Sequence, residues 1–140
     1  MSSTDYVLLA EQIATAAHAG QFRRGGEVPY IEHPRAVVSR VGEDWEAQVV
    51  AWLHDVLEDC DHTEATLVAA GIPQHLVEAV ALLTKTGELP YEDYLEKVAQ
   101  NPIATKVKIA DMISNLADAP TPKQIQKYAK GLHRLARELA

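Results

Sequence analysis

The sequence predicts an all-α chain, one domain over residues 1–140 built as a bundle of about seven or eight helices. Three observations carry that expectation. Caps and prolines that start helices recur, each followed by apolar residues at spacings of three and four. Alternating, β-branched strand patterns are nearly absent. No repeat, linker or low-complexity tract divides the 140 residues, a length sufficient for one hydrophobic core.

The elements follow in order. Residues 4–19 set Tyr6, Leu9, Ile13 and Ala16 at helical spacing. GQFRRGGEVPY (20–30) is Gly-rich and basic, and reads as a loop. His33 stands at the cap of a helix reaching about Val41, with Pro34 in its first position and holding His33 extended. Residues 44–60 form one helix. A short helix over 64–70 ends at Gly71, and Pro73 opens another to about Thr84 with Leu76, Val77, Val80 and Leu83 on one side. KTGE (85–88) turns the chain. Pro90 starts a helix that uses Tyr91, Tyr94, Leu95 and Val98, the tyrosines reading as core. Asn101-Pro102 caps a helix to about Ala117. Thr121 to Gln124 is a capping box with Pro122 at the first position, and Ile125, Tyr128, Ala129, Leu132 and Leu135 follow at core spacing.

Composition narrows the function. Apolar residues make up 47% and charged residues 24%, a globular balance. The net charge is −7 with Lys and Arg scattered, which argues against a surface that tracks a nucleic-acid backbone. A small anionic ligand needs only a few local cations. No apolar run reaches the ~18 residues of a membrane span, and no secretory signal is legible. Cys60 is the single cysteine, so no intramolecular disulfide forms and a cytoplasmic setting is expected. A homo-oligomer is left open.

The chemistry concentrates in WLHDVLEDCD (52–61). On a continuous helix with His54 at zero, Glu58 falls at about 40°, Asp55 at about 100° and Asp59 at about 140°. Val49, Val50, Leu53, Val56, Leu57 and Cys60 take the opposite side. Asp55 and Asp59 repel at i,i+4 unless a counter-charge lies between them, and Trp52 and Leu53 point to burial at this end. A divalent cation resolves the repulsion, and His with Asp suits Mn, Fe or Zn rather than Ca. A solvated acidic face is the alternative on this stretch alone. Two further segments offer ligand-type residues: His33 in YIEHP, and Asp111 in VKIADMISNL, where Lys108, Asp111 and Asn115 share one stripe opposite Ile109, Ile113 and Leu116. A lone buried Asp is costly unless paired or metal-bound.

The order His33, His54-Asp55, Asp111 resembles the HD-domain metal-dependent phosphohydrolases. HAGQFRRGGEVPYIEHP (18–34), LHDVLED (53–59), LTK (83–85) and VKIADMISNL extend the likeness to the hydrolase domain of RelA/SpoT-type proteins, in its stand-alone small alarmone hydrolase form, over about residues 6–118. The resemblance implies one ion, usually Mn2+ with Fe, Zn, Co or Mg as alternatives, held by His33, His54, Asp55 and Asp111. It implies that Glu58 and Asp59 position and deprotonate the attacking water. It sets Arg23 against a guanine base, Arg24 near phosphate and Asn115 at the ribose; Lys85 could offer phosphate a cation. The implied reaction removes the 3′-diphosphate of (p)ppGpp, giving GDP or GTP and pyrophosphate. A phosphatase acting on NADPH or a nucleoside monophosphate, and a non-catalytic nucleotide-sensing domain, are the competing expectations. Met112 and Ala117 stand where the family often has basic residues, and the GGEV loop is one residue longer than is common.

Overall fold

Side chains that satisfy free backbone N–H groups decide where most helices begin. The computed structural model describes residues 1–139. Ser2 and Asp5 form a capping box for α1 (Ser3–Ala17). Asp44 caps α3 (Trp45–Leu53) by accepting from Glu46 N and Ala47 N. Thr63 and Thr66 cap α5 (Glu64–Ala69), and Thr121 and Gln124 cap α9 (Pro122–Ala136). Asn101 accepts from Ala104 N at the start of α8 (Pro102–Leu116), with Pro102 in the first turn. The remaining helices are α2 (Glu32–Arg40), α4 (Val56–Asp59), α6 (Gln74–Leu83) and α7 (Tyr91–Ala99). The single β-type pairing among the described residues is an isolated bridge between Phe22 and Pro29 in the loop between α1 and α2.

α3 is the axis of the core. Its residues Ala47, Val49, Val50, Ala51, Trp52 and Leu53 are all buried, the pattern of a helix that is apolar on every side. α1, α2, α6 and α8 pack around it. Each buried Val or Leu of this kind stabilises the fold by roughly 1.5–3 kcal/mol. α8 also carries α9, and they meet where Gly131 faces Met112: a Cβ on Gly131 would lie 2.7 Å from the Met112 sulfur.

Four expectations need correction. The helix over 44–60 is broken: α3 stops at Leu53, Asp55 takes φ −108° and ψ −1°, and α4 resumes for one turn. The helical-wheel angles therefore do not carry across His54 and Asp55. His33 is the second residue of α2 and is helical, not an extended cap. The proline bias on a preceding residue is a preference, and Pro34, in the third position, loses an N–H that the first turn leaves unpaired anyway. On α8 the polar stripe faces inward with Ala110 and Met112, while Ile113 is 42% exposed. Periodicity locates a stripe but does not say which side meets the core. For the same reason Ala16, Ile125 and Ala129 are exposed, the deep line of α1 being Ala10, Ala14 and then His18.

Candidate metal centre

The break after α3 brings His54 and Asp55 to one point. On a continuous helix they would diverge by about 100°; here His54 Nε2 and Asp55 Oδ2 are 3.1 Å apart. α2 delivers His33 and α8 delivers Asp111 to the same place. His33 Nε2 is 2.8 Å from Asp111 Oδ1 and 3.9 Å from Asp55 Oδ2. His54 Nε2 is 3.5 Å from Asp111 Oδ1. His33, His54 and Asp111 are 5%, 4% and 6% exposed. The donor atoms of these three lie within 4.8 Å of one another, and Asp55 links them to a second such group, Asp55, Glu58 and Asp59.

This donor set fits a divalent ion on its own evidence. His54 Nδ1 lies 2.7 Å from the Ala51 carbonyl, an acceptor that requires the proton on Nδ1 and leaves Nε2 to the cluster. There Nε2 is buried without a hydrogen-bond partner, 3.1 Å from Asp55 Oδ2 and 3.5 Å from Asp111 Oδ1. Charge gives the same answer. Burial resists a charged His54, but Asp55 and then Asp111 push its affinity for a proton well above an ordinary imidazole's. Burial likewise acts to raise Asp111, and Lys108, His33 and His54 overcome it, so that carboxyl stays ionised. Two ionised acids around two imidazoles call for positive charge, and this mixture of nitrogen and oxygen donors suits a transition metal.

Further hydrogen bonds hold the cluster. The Tyr30 hydroxyl donates to Asp55 Oδ2 at 2.6 Å. Lys108 Nζ donates to Asp111 Oδ2 at 3.0 Å, and Asn115 Nδ2 to Asp111 Oδ1 at 3.1 Å. Partners of this kind orient ligands and set their basicity.

The cluster forms the floor of a cavity of about 250 Å³. Arg23, Glu58, Lys85 and Asn115 line it with the four central residues; Arg24 and Asp59 do not. Arg23 lies over the Tyr30 ring and pairs with Asp118 at 2.8 Å, whereas Arg24 points to Gln124. Glu58 Oε1 accepts from Lys85 N at 3.0 Å. Burial first, then Asp55 and Asp59, push the Glu58 carboxyl up despite that bond. Burial and Asp55 do the same to Asp59. A carboxyl with a raised proton affinity beside a cluster that wants a cation is equipped to move protons.

Sequence reasoning missed part of the wall. Tyr30, Tyr91, Lys108, Lys127 and Tyr128 all line the cavity. Lys108 was visible in the stripe with Asp111, and Tyr30 in the motif before His33. On α9 the linear pattern read Tyr128 as core and gave no mark to Lys127. Tyr94, which donates its hydroxyl to the Leu83 carbonyl, is core and cavity wall at once. Other histidines serve elsewhere: His62 contacts Thr66, and His75 pairs with Glu46.

No model of a known protein family matches the chain. Individual relatives do. The chain is 41% identical over 92 residues to a guanosine-3′,5′-bis(diphosphate) 3′-pyrophosphohydrolase of Vibrio cholerae, 64% of this chain and 13% of that one. It is 37% identical over 92 residues to the bifunctional (p)ppGpp synthase/hydrolase SpoT of Escherichia coli, again 64% and 13%. A Mycobacterium leprae protein named a probable GTP pyrophosphokinase is 33% identical over 141 residues, covering 91% of this chain and 18% of its own. The chain thus spans less than a fifth of these curated relatives. A solved structure of a metazoan orthologue of SpoT, described as hydrolysing ppGpp, superposes with a TM-score of 0.77 at 24% identity, over 96% of this chain and 85% of that one. The helical fold and its His/Asp cluster define an HD-type domain. Within that class, the chain is homologous to the RelA/SpoT-type HD domain.

Proposed function

We propose that the chain is a metal-dependent phosphohydrolase that removes the 3′-diphosphate of (p)ppGpp, releasing pyrophosphate and GDP or GTP. One observation carries the reading: His33, His54, Asp55 and Asp111 reach one point from three distant segments, with His54 Nε2 buried and unpartnered. The activities for which the Vibrio cholerae and Escherichia coli relatives are named supply the substrate class.

In this reading His33, His54, Asp55 and Asp111 hold the ion, and Mn2+ is the assignment, with Fe, Zn, Co and Mg to be separated by metal analysis. A bound divalent ion polarises a phosphoryl oxygen and acidifies water. The chain does the rest. Glu58, on the cavity wall and with its proton affinity raised, accepts a proton from the attacking water. Lys85 N–H holds its carboxylate in place. Asp59, one residue on and outside the cavity lining, supports Glu58 through charge, or passes a proton to the leaving group once substrate is bound. Arg23, kept over Tyr30 by Asp118, offers a planar cation for stacking on a base. Asn115, whose amide nitrogen serves Asp111, directs its remaining polar atoms to a ribose. Arg24 lies outside the cavity and reaches a phosphate only by leaving Gln124.

The deciding experiment measures the metal content of purified protein and resolves its products from ppGpp by chromatography. Pyrophosphate and GDP in wild type, with loss of turnover in Asp55→Ala, are expected. Release of monophosphate, or full turnover by Asp55→Ala, would overturn the proposal.

A further inference from the structure

The cavity wall gathers three lysines, of which only Lys108 is engaged by the His/Asp cluster. Lys85 follows α6, Lys108 lies on α8 and Lys127 on α9, and all three line the same space. Lys108 is balanced by Asp111. Lys85 Nζ meets only a neutral acceptor, the Gly87 carbonyl at 3.4 Å. Lys127 has no carboxylate partner among the described residues; its Nζ sits 4.4 Å from the centre of the Tyr91 ring and 5.5 Å from that of Tyr128. Aromatic faces attract an ammonium but do not neutralise it. Burial, then Lys108 and Lys85, lower the proton affinity of Lys127, as expected where like charges collect without enough counter-charge. In a chain with 20 acidic residues against 13 basic ones, two ammonium groups left without acids beside a third form a cavity wall suited to an anion.

We propose that Lys85, Lys108 and Lys127 form a second anion subsite, walled by Tyr91 and Tyr128, that takes a phosphate group of the substrate other than the one attacked. This rests on reading the cavity as a phosphoester site. It makes α9 part of the binding machinery and favours substrates that carry a diphosphate beyond the reacting phosphorus. That group is either the 5′-diphosphate or the outer phosphate of the leaving diphosphate, and the two share one chemistry.

The test is a calorimetric titration of the full chain with inorganic pyrophosphate, followed by kinetics. Lys127→Gln keeps a helix-compatible side chain and is expected to weaken pyrophosphate binding roughly tenfold, the worth of one charge-assisted hydrogen bond. Lys123→Gln, on the same helix but outside the cavity lining, is expected to bind as wild type does. Unchanged binding by Lys127→Gln, or equal weakening by both variants, would overturn the subsite. In kinetics, a KM increase for ppGpp that is absent for guanosine 3′-diphosphate assigns the group to the 5′ end. An equal increase for both assigns it to the leaving diphosphate, and no increase for either overturns the proposal. A chain that turns over neither nucleotide sinks the hydrolase reading, while the pyrophosphate titration still decides the subsite.

Discussion

At the scale of single residues, the organisation around Asp55 governs the centre. Its Oδ2 faces His54 and His33 and also accepts from Tyr30. The Tyr30 ring is packed at 4.8 Å from the His18 ring, and Gln21 lies 2.8 Å from His18 Nδ1 while donating to the Asp59 carbonyl at 3.0 Å. The end of α1 and the loop after it therefore brace the segment that carries the acids. Burial, with the charges of Asp55 and Asp59, holds the Tyr30 phenol protonated far above its usual range, so it acts as a donor and not as a base. Tyr30→Phe removes that donor without changing the ring. Metal affinity is expected to fall about tenfold or more, as for other partners of metal ligands, and titration with Mn2+ monitored by calorimetry checks it. Unaltered affinity would mean that Asp55 is held by its backbone alone.

Among the elements, α3 controls the site because the helix has to end where His54 begins. Its start is equally determined. Asp44 accepts from Glu46 N at 3.1 Å and Ala47 N at 3.3 Å, and from Lys106 Nζ at 3.1 Å, tying α3 to α8. Asp44→Ala is expected to cost about 1 kcal/mol of stability, the usual worth of a lost N-cap. The pH dependence has a definite sign. Burial acts to raise the Asp44 carboxyl, but Lys106 and the Ala47 and Glu46 N–H groups outweigh it and hold it below its ordinary value. A depressed folded-state pKa contributes stability that is complete above the unfolded value of about 3.9 and is lost as pH falls through the folded one. Urea unfolding of wild type and Asp44→Ala at neutral pH and below about pH 4 should show the difference shrinking on the acid side. A difference that stays constant would remove the carboxylate from the explanation.

For the molecule as a whole, the centre joins α2, the α3–α4 break and α8, elements separated by up to 78 residues in sequence. An ion bound there would stabilise all three together and would find no equivalent site in the unfolded chain. An ion at a hundred times its dissociation constant is expected to add about 2.7 kcal/mol of stability. Thermal unfolding with Mn2+ and with chelator measures the increment, and Asp111→Asn should lose most of it. A transition unmoved by Mn2+ in wild type would mean that the four residues do not act as an ion site. Among the described residues no helix is long and apolar enough to cross a membrane.

Much of the architecture was legible in the linear chain. Ser, Thr, Asp and Asn caps, prolines in first turns and Gly71 with φ +110° act through atoms a few residues apart, so helix starts and stops can be read locally. The expected helices, about seven or eight, correspond to the observed α-helices with the third in two pieces, and a 3-10 turn over Arg137–Leu139 follows the last. His54, Asp55 and Asp111 stood out for a different reason, ionisable groups set in apolar runs being costly without a partner, and the resemblance to the HD phosphohydrolases supplied His33 and the set as a whole. Which way a stripe faces was not legible, as Ile113 and Ile125 show, because orientation depends on what packs against the helix. Nor was the break at His54, which redirects Asp55, or the arrival of Lys127 and Tyr128 from α9. By itself, then, the sequence determined the helices and the residues that need a counter-charge, through short-range hydrogen bonding and the cost of burying charge. Only the tertiary structure decided which of those residues share one cavity, because convergence of distant segments is a property of packing around α3.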